Sequence, residues 1–193
     1  MDEPTKEHNK DKNDEEDKDN EDDKDDEDAE NEKDEDSKEE KRNDLRLRMA
    51  LRGLKKCVNA TKSDNLDMKI WGVRGIRQLL CSYEEIPVKE VVDTEVVPFL
   101  VSILFIKVEN KDKSSKTPEE IKIHKLQFEA AWSLTNIAGG ESQYTLKLVQ
   151  LGCVEGFVQL LKSDVDIEIV DHVIWGLGNI AGDSAELRDK VLH

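Results

Sequence analysis

The sequence predicts an all-α protein: a solenoid of stacked helical repeats preceded by a disordered acidic tail. Three observations carry that expectation. Trp132-Ser-Leu-Thr-Asn136-Ile-Ala-Gly-Gly140 and Trp175-Gly-Leu-Gly-Asn179-Ile-Ala-Gly-Asp183 repeat one motif at an interval of 43 residues, a period found in stacked helical repeats. Within each copy the tryptophan and the asparagine stand four positions apart, which puts both side chains on one helical face. Charge, finally, is segregated: residues 2–40 hold 23 Asp or Glu against 7 Lys, net −16, whereas residues 41–193 hold 22 acidic and 22 basic residues.

The acidic tract, 1–43, has no aromatic residue other than His8, no Val, Ile or glycine, and no Leu. With so little apolar surface it cannot offset an ordering entropy of about 1–2 kcal/mol per residue, and disorder is expected. Residues 44–193 are enough for one folded domain. Cys57, Cys81 and Cys153 are odd in number, far apart and set among apolar neighbours, as buried thiols of a reducing compartment are. No secretory signal and no run of 18 apolar residues is present, so a soluble intracellular chain is expected, in which the sequon Asn59-Ala-Thr61 is a chance match.

The elements follow in order. Leu47, Leu51, Leu54 and Val58 recur every three or four residues with Arg46, Arg48, Arg52, Lys55 and Lys56 largely off the stripe, the pattern of an amphipathic helix over 45–58. Met68, Ile70, Ile76, Leu79 and Leu80 predict a second helix over 66–81, ended by a loop at Pro87. A short helix is expected over 88–93 and another over 96–106, where Pro98 suits the first turn. Residues 107–120 lack apolar periodicity and are expected to loop out, until Thr117, Pro118 and Glu120 supply a capping hydroxyl, a proline at the first helical position and a capping-box acid. That helix runs to about Ala138, where Gly139-Gly140 is expected to stop it through left-handed backbone angles. Helices over 142–151, 154–161 and 166–181 follow, with Gly152 and Gly182 as breaks.

Aligning the chain with itself supports this cycle of short, medium and long helices. Residues 97–104 match 154–161 at an offset of 57, and the longer spacing from Leu104 to Trp132 identifies a 14-residue insertion in the earlier repeat, which a loop absorbs at small entropic cost. At an offset of 58, Met68, Ile70 and Ile76 fall under Leu126, Phe128 and Leu134, while Arg74 and Gln78 fall under Trp132 and Asn136. Trp71 is out of register, under Glu129, and is expected to pack or cap an end rather than to extend the tryptophan series.

The segments 127–138 and 173–183, with Arg188-Asp189 beyond, resemble importin alpha, the adaptor that carries proteins bearing nuclear localisation signals; a weaker collinear match extends from about residue 45. The resemblance implies a right-handed armadillo-type α-solenoid with a degenerate repeat at 45–82, repeats at 88–140 and 142–182, and the start of another at 184–193. It implies that an extended basic peptide runs antiparallel along the face, its backbone held by asparagine amides and its lysine or arginine side chains held between indole walls. Residue by residue, Trp132, Asn136, Trp175 and Asn179 occupy the ladder positions and Asp183 that of the acid binding the dominant lysine. Gly140 and Thr145 would add main-chain and hydroxyl contacts, and His172 stands where the family has a glutamine. The family's basic amino-terminal segment, which binds importin beta, has no clear counterpart here, since only Lys41-Arg42-Asn43 is similar to its end, and this puts importin beta binding in doubt. The implied role is nuclear import, in cytoplasm and nucleus, with basic signal peptides of cargo as partners and no nucleic acid or membrane among them.

Other chemistries fit poorly. Gly176-x-Gly178-x-x-Ala181 matches a dinucleotide fingerprint literally but lacks the preceding strand and the following acid. The Asp-rich tract lacks the glycine a calcium loop needs. No nucleophile with its base and orienting group, no metal cluster and no phosphate loop stands at usable spacing, so neither an enzyme nor a cofactor is expected. A competing reading is a non-transporting scaffold or decoy whose acidic tract and armadillo repeats bind basic proteins such as histones. The segment 41–62 carries eight Lys or Arg against one Asp, a solvated helix face in the plain reading and a landing site for the acidic tract in the sharper one.

Overall fold

A computed structural model describes residues 19–82, 88–108 and 116–192, with side chains from residue 38 onward. The Pro87 loop, residues 1–18 of the acidic tract and residues 109–115 of the insertion lie outside the described residues. The chain divides into two compact units, residues 1–45 and 46–193.

The described residues form helices joined by short turns. Helix α1 spans Asp19–Thr61, α2 Leu66–Cys81, α3 Val88–Val92, α4 Val96–Leu104, α5 Pro118–Ala138, α6 Ser142–Gln150, α7 Cys153–Leu161, α8 Ile167–Asp183 and α9 Ala185–Leu192. Residues 19–43 of the tract for which disorder is expected lie within α1. An apolar-poor composition argues against tertiary packing, not against a helix whose backbone bonds close within the segment, and residues 19–43 contain no Gly or Pro to interrupt one.

Local chemistry sets the helix ends of the second unit. Asn65 starts α2, its side-chain oxygen accepting from the Asp67 and Met68 amides at 2.8 and 3.3 Å. Thr117 starts α5: its hydroxyl accepts from the Glu120 amide at 3.2 Å, and the Glu120 carboxylate accepts from the Thr117 amide, the full capping box. Gly152 breaks the chain between α6 and α7 with φ of 83°, a left-handed conformation that glycine takes without steric cost. Two glycine expectations are corrected. Gly139 caps α5 at φ −84°, not in the left-handed region; what it supplies is room, since a Cβ there would lie 3.2 Å from the Asn179 side-chain nitrogen. Gly182 stops nothing, because α8 runs to Asp183 and the Ser184 hydroxyl then accepts from the Leu187 amide to begin α9.

In the second unit α5 packs between α2 and α8, while α4 and α7 lie against α5 and α8 and against each other. Their apolar faces meet in one core: Ile76 of α2, Leu100 and Leu104 of α4, Leu126, Leu134 and Ile137 of α5, Leu148 of α6, Phe157 and Leu160 of α7, and Ile169, Val173 and Ile180 of α8 are all buried. Trp71 stays 52 % exposed and, rather than burying itself at an end of the core, edges a shallow recess with Gly53, Cys57 and Gly75.

The two glycines of the literal dinucleotide string have separate fates in α8. A Cβ on Gly176 would meet the Phe157 ring at 2.7 Å and the Thr135 hydroxyl at 2.8 Å, whereas one on Gly178 would meet nothing within 4 Å. Gly176 is thus the point where α8 closes on α5 and α7, and no strand precedes it among the described residues. Gly176→Ala is expected to lower stability by about 1–3 kcal/mol through overpacking, and Gly178→Ala to raise it by up to about 1 kcal/mol through the gain in helix propensity. Urea unfolding of the two variants checks this contrast; equal effects would contradict it.

Candidate functional site

The repeated motifs occupy the same helical position in two helices that pack together. Trp132 and Asn136 lie on α5, Trp175 and Asn179 on α8, and α5 and α8 share one of the most extensive helix contacts in the chain. Two side chains of α5 and α8 lock their register. The Thr135 hydroxyl lies 2.8 Å from the His172 carbonyl and 2.9 Å from the Ala131 carbonyl, its one proton shared between them. The Asn179 amide donates to the Thr135 carbonyl at 3.1 Å.

Each asparagine leans by its amide nitrogen on the preceding layer, for Asn136 donates to the Cys81 thiol at 3.3 Å as Asn179 does to Thr135. Both are half-buried. Anchoring one N–H fixes the amide plane and leaves its carbonyl oxygen and second N–H to address a passing backbone, which has both a donor and an acceptor to offer.

The aromatic side chains form a continuous row. Phe128 meets Trp132 edge-on at 5.6 Å and His172 edge-on at 5.2 Å. The His172 ring lies between the two indoles, stacked on Trp132 at 4.4 Å and 20° and on Trp175 at 6.4 Å and 14°. The far indole, Trp175, is 60 % exposed. Arg77 of α2 covers Trp132 as well, its guanidinium carbon 4.2 Å from the ring centroid, close enough for a cation–π attraction. Glu129 of α5 holds that guanidinium in place: it accepts from Arg77 at 2.5 Å and from Arg74 at 2.7 Å while only 2 % exposed.

The remaining sequence-derived site residues separate. Gly140 is exposed just beyond the end of α5, and Asp183 is half-exposed as the last residue of α8. Thr145 is a correction: it is 0 % exposed, and its hydroxyl donates to the Ala138 carbonyl at 3.2 Å. It secures the turn after α5 and presents nothing to a ligand. His172 joins the row, though as a ring between indoles rather than as a hydrogen-bonding substitute for an amide. Burial lowers its pKa from the usual histidine range, with Arg77 adding in the same direction and Asp171, Glu168 and Glu129 opposing.

Sequence reasoning missed Arg77, Arg74, Glu129 and Phe128 as parts of this face. A signal for the arginines was present: the offset of 58 sets Arg74 in the Trp132 register, and Arg77 follows one helical turn later. A cavity of about 430 Å³ lies toward the start of α5, lined by Lys116, Glu120, His124, Gln127 and Lys162 among others, and includes neither tryptophan. Beside it Lys116 donates to Asp166, a contact that holds the Asp166 carboxyl below its ordinary pKa.

What the face can do chemically is bind. It offers fixed amides, broad π-surfaces and, at one end, a carboxylate, the complement of an extended cationic chain. No group of three His, Cys, Asp or Glu side chains spaced for a metal ion occurs among the described residues.

Comparison with known proteins gives the same picture. Residues 142–182 match the Armadillo/beta-catenin-like repeat. Importin subunit alpha-1b of Oryza sativa subsp. japonica is 38 % identical over 146 residues, 76 % of this chain and 24 % of its own length. Importin subunit alpha-2 of Arabidopsis thaliana is 39 % identical over 142 residues, 74 % of this chain and 24 % of its own. The chain thus spans about a quarter of the length of these curated relatives. Among solved structures, a computationally designed armadillo repeat protein for modular peptide recognition shares the fold at TM-score 0.57 and 18 % identity, over 72 % of this chain and 51 % of its own. An engineered protein shares it at TM-score 0.56 and 25 % identity, over 72 % and 50 %.

Glu129→Gln is expected to destabilise the second unit by about 1.5–3 kcal/mol, because one of the two arginines loses its acceptor to a facing NH2 group and the other loses its anionic partner. Arg77 should then leave the Trp132 face, changing tryptophan emission in the native baseline. Unaltered stability and emission would contradict the role given to Glu129.

Proposed function

We infer function from the premise that this chain is an importin alpha-like armadillo protein. It acts as a nuclear-import adaptor: a receptor, not an enzyme, that binds basic nuclear localisation signal peptides of cargo along the face of α5 and α8, in cytoplasm and nucleus. One observation carries this reading above the rest: Trp132 with Asn136 and Trp175 with Asn179 stand on adjacent packed helices, with both asparagine amides anchored to the layer before.

The mechanism follows from those side chains. A peptide backbone laid across α5 and α8 exchanges hydrogen bonds with the Asn136 and Asn179 amides, which select no sequence. Selection comes from the indoles, which favour lysine and arginine through their methylenes and their charge. Asp183, at the carboxyl end of α8, receives an ammonium or guanidinium group in a charge-assisted bond. The Gly140 backbone stands at the matching end of α5, open to a main-chain contact. These contacts catalyse nothing and require no cofactor.

A second reading is favoured by the net −16 of residues 2–40: that this tract, rather than the helical face, captures basic proteins without transport. The two make opposite demands. With a Lys-rich peptide followed by fluorescence anisotropy in the 193-residue chain, Trp175→Ala combined with Asn179→Ala is expected to weaken binding roughly 30- to 100-fold, or about 2–3 kcal/mol. Deleting residues 1–43 is expected to leave most of the affinity at 0.15 M salt, where the Debye length is about 8 Å. Loss on deletion with no loss in the double variant would reverse the assignment.

A further inference from the structure

We propose that His172 is a displaceable plug: its imidazole fills the gap between Trp132 and Trp175, so a cationic peptide side chain enters that gap only by expelling the protein's own ring. The proposal rests on the reading of this face as a basic-peptide site and assigns the residue that sets its selectivity.

The distances leave no vacant slot. Stacked at 4.4 Å on Trp132, the His172 ring is already in van der Waals contact with that indole. On its other side the Trp175 ring lies 6.4 Å away, less than the roughly 7–8 Å that a methylene chain needs between two faces at about 3.5–4.0 Å from each. The opposite face of the row offers no alternative at Trp132, since Arg77 covers that indole at 4.2 Å and is pinned by Glu129.

The ring is placed but not tied. Its Nδ1 is buried without a hydrogen-bond partner among the described residues, and such an atom regains a bond when the ring turns out into water. Among the described residues, only stacking and the edge contact with Phe128 hold it. The backbone at this position, by contrast, is fixed by the Thr135 hydroxyl on the His172 carbonyl. A side chain can therefore swing while the helix stays.

Charge makes the plug responsive to acid. Around the ring stand Asp171 and Glu168 on its own helix, Glu129 from α5 and Arg77 from α2, and the two arginines of α2 engage Glu129. Burial holds the His172 pKa down only while the ring is stacked, so a proton favours the ring turned out into water, where its Nδ1 is hydrogen-bonded, and the gap opens more readily as pH falls. Affinity for a basic peptide should rise as pH drops through the histidine range, because binding then no longer has to unstack a neutral buried ring.

The test is isothermal titration of the full chain with a Lys-rich peptide at pH 7.5 and 5.5, for the native protein, His172→Gln and His172→Phe, with far-UV circular dichroism to verify folding. His172→Gln, which removes the ring, is expected to bind roughly three- to tenfold more tightly at pH 7.5, the cost of unstacking being absent. It should also lack the tightening at pH 5.5, which in the native protein should reach at least roughly threefold. His172→Phe keeps a plug that cannot titrate and is expected to bind no more tightly than native, with no dependence on pH. In the free and peptide-saturated native protein, the His172 ring proton resonances, assigned by their absence from His172→Gln, should move downfield as the ring leaves the indole faces. Equal affinities of native and His172→Gln, or His172 resonances unmoved at saturation, would overturn the plug while leaving the peptide site standing. If neither binds the peptide, the peptide site itself fails and the plug falls with it.

Discussion

The arrangement depends on how closely α8 can approach α5. Gly176 removes the one side chain that would hold them apart, and Thr135 uses the resulting proximity at both ends of its structure: the hydroxyl reaches the His172 carbonyl and the main-chain carbonyl receives the Asn179 amide. Gly139 makes a smaller concession of the same kind to Asn179. These contacts convert a period in the sequence into a register in space. Were α8 to slide by one turn, about 5.4 Å, the second indole would no longer lie opposite the imidazole, and the asparagines would cease to point along a common line.

The face is electrically composite. Its π-surfaces attract cations, yet the protein has already used part of that attraction on itself, with Arg77 against Trp132 and a buried carboxylate to steady it. That arrangement stabilises the layer between α2 and α5 at the expense of surface otherwise open to a ligand. Trp175 has no such partner among the described residues and remains mostly in water. The two copies of one motif therefore differ in role: the first is bound up with the structure, and the second is the freer of the two to meet something else.

Much of this was legible in the sequence because it depends on spacing. The 43-residue interval, the apolar stripes and the Thr117-Pro118-Glu120 start are local or periodic, and α2, α5 and α7 begin and end within a residue or so of where those signals put them. What was illegible depends on contacts across helices. Gly139 reads as a turn residue but serves a neighbouring amide. Thr145 reads as an available hydroxyl but is spent on the Ala138 carbonyl. His172 reads as a polar substitution, and only the packing of α5 on α8 reveals it as a ring in a row of rings.

The capping box at Thr117 has a bearing on how such a chain can be diversified. The start of α5 is specified by Thr117, Pro118 and Glu120 and satisfied within its own first turn, while packing on α2, α4 and α8 places Trp132 and Asn136. A change of length before Lys116 would therefore leave the hydrogen bonds that open the helix intact, because every partner in them lies at or after Thr117.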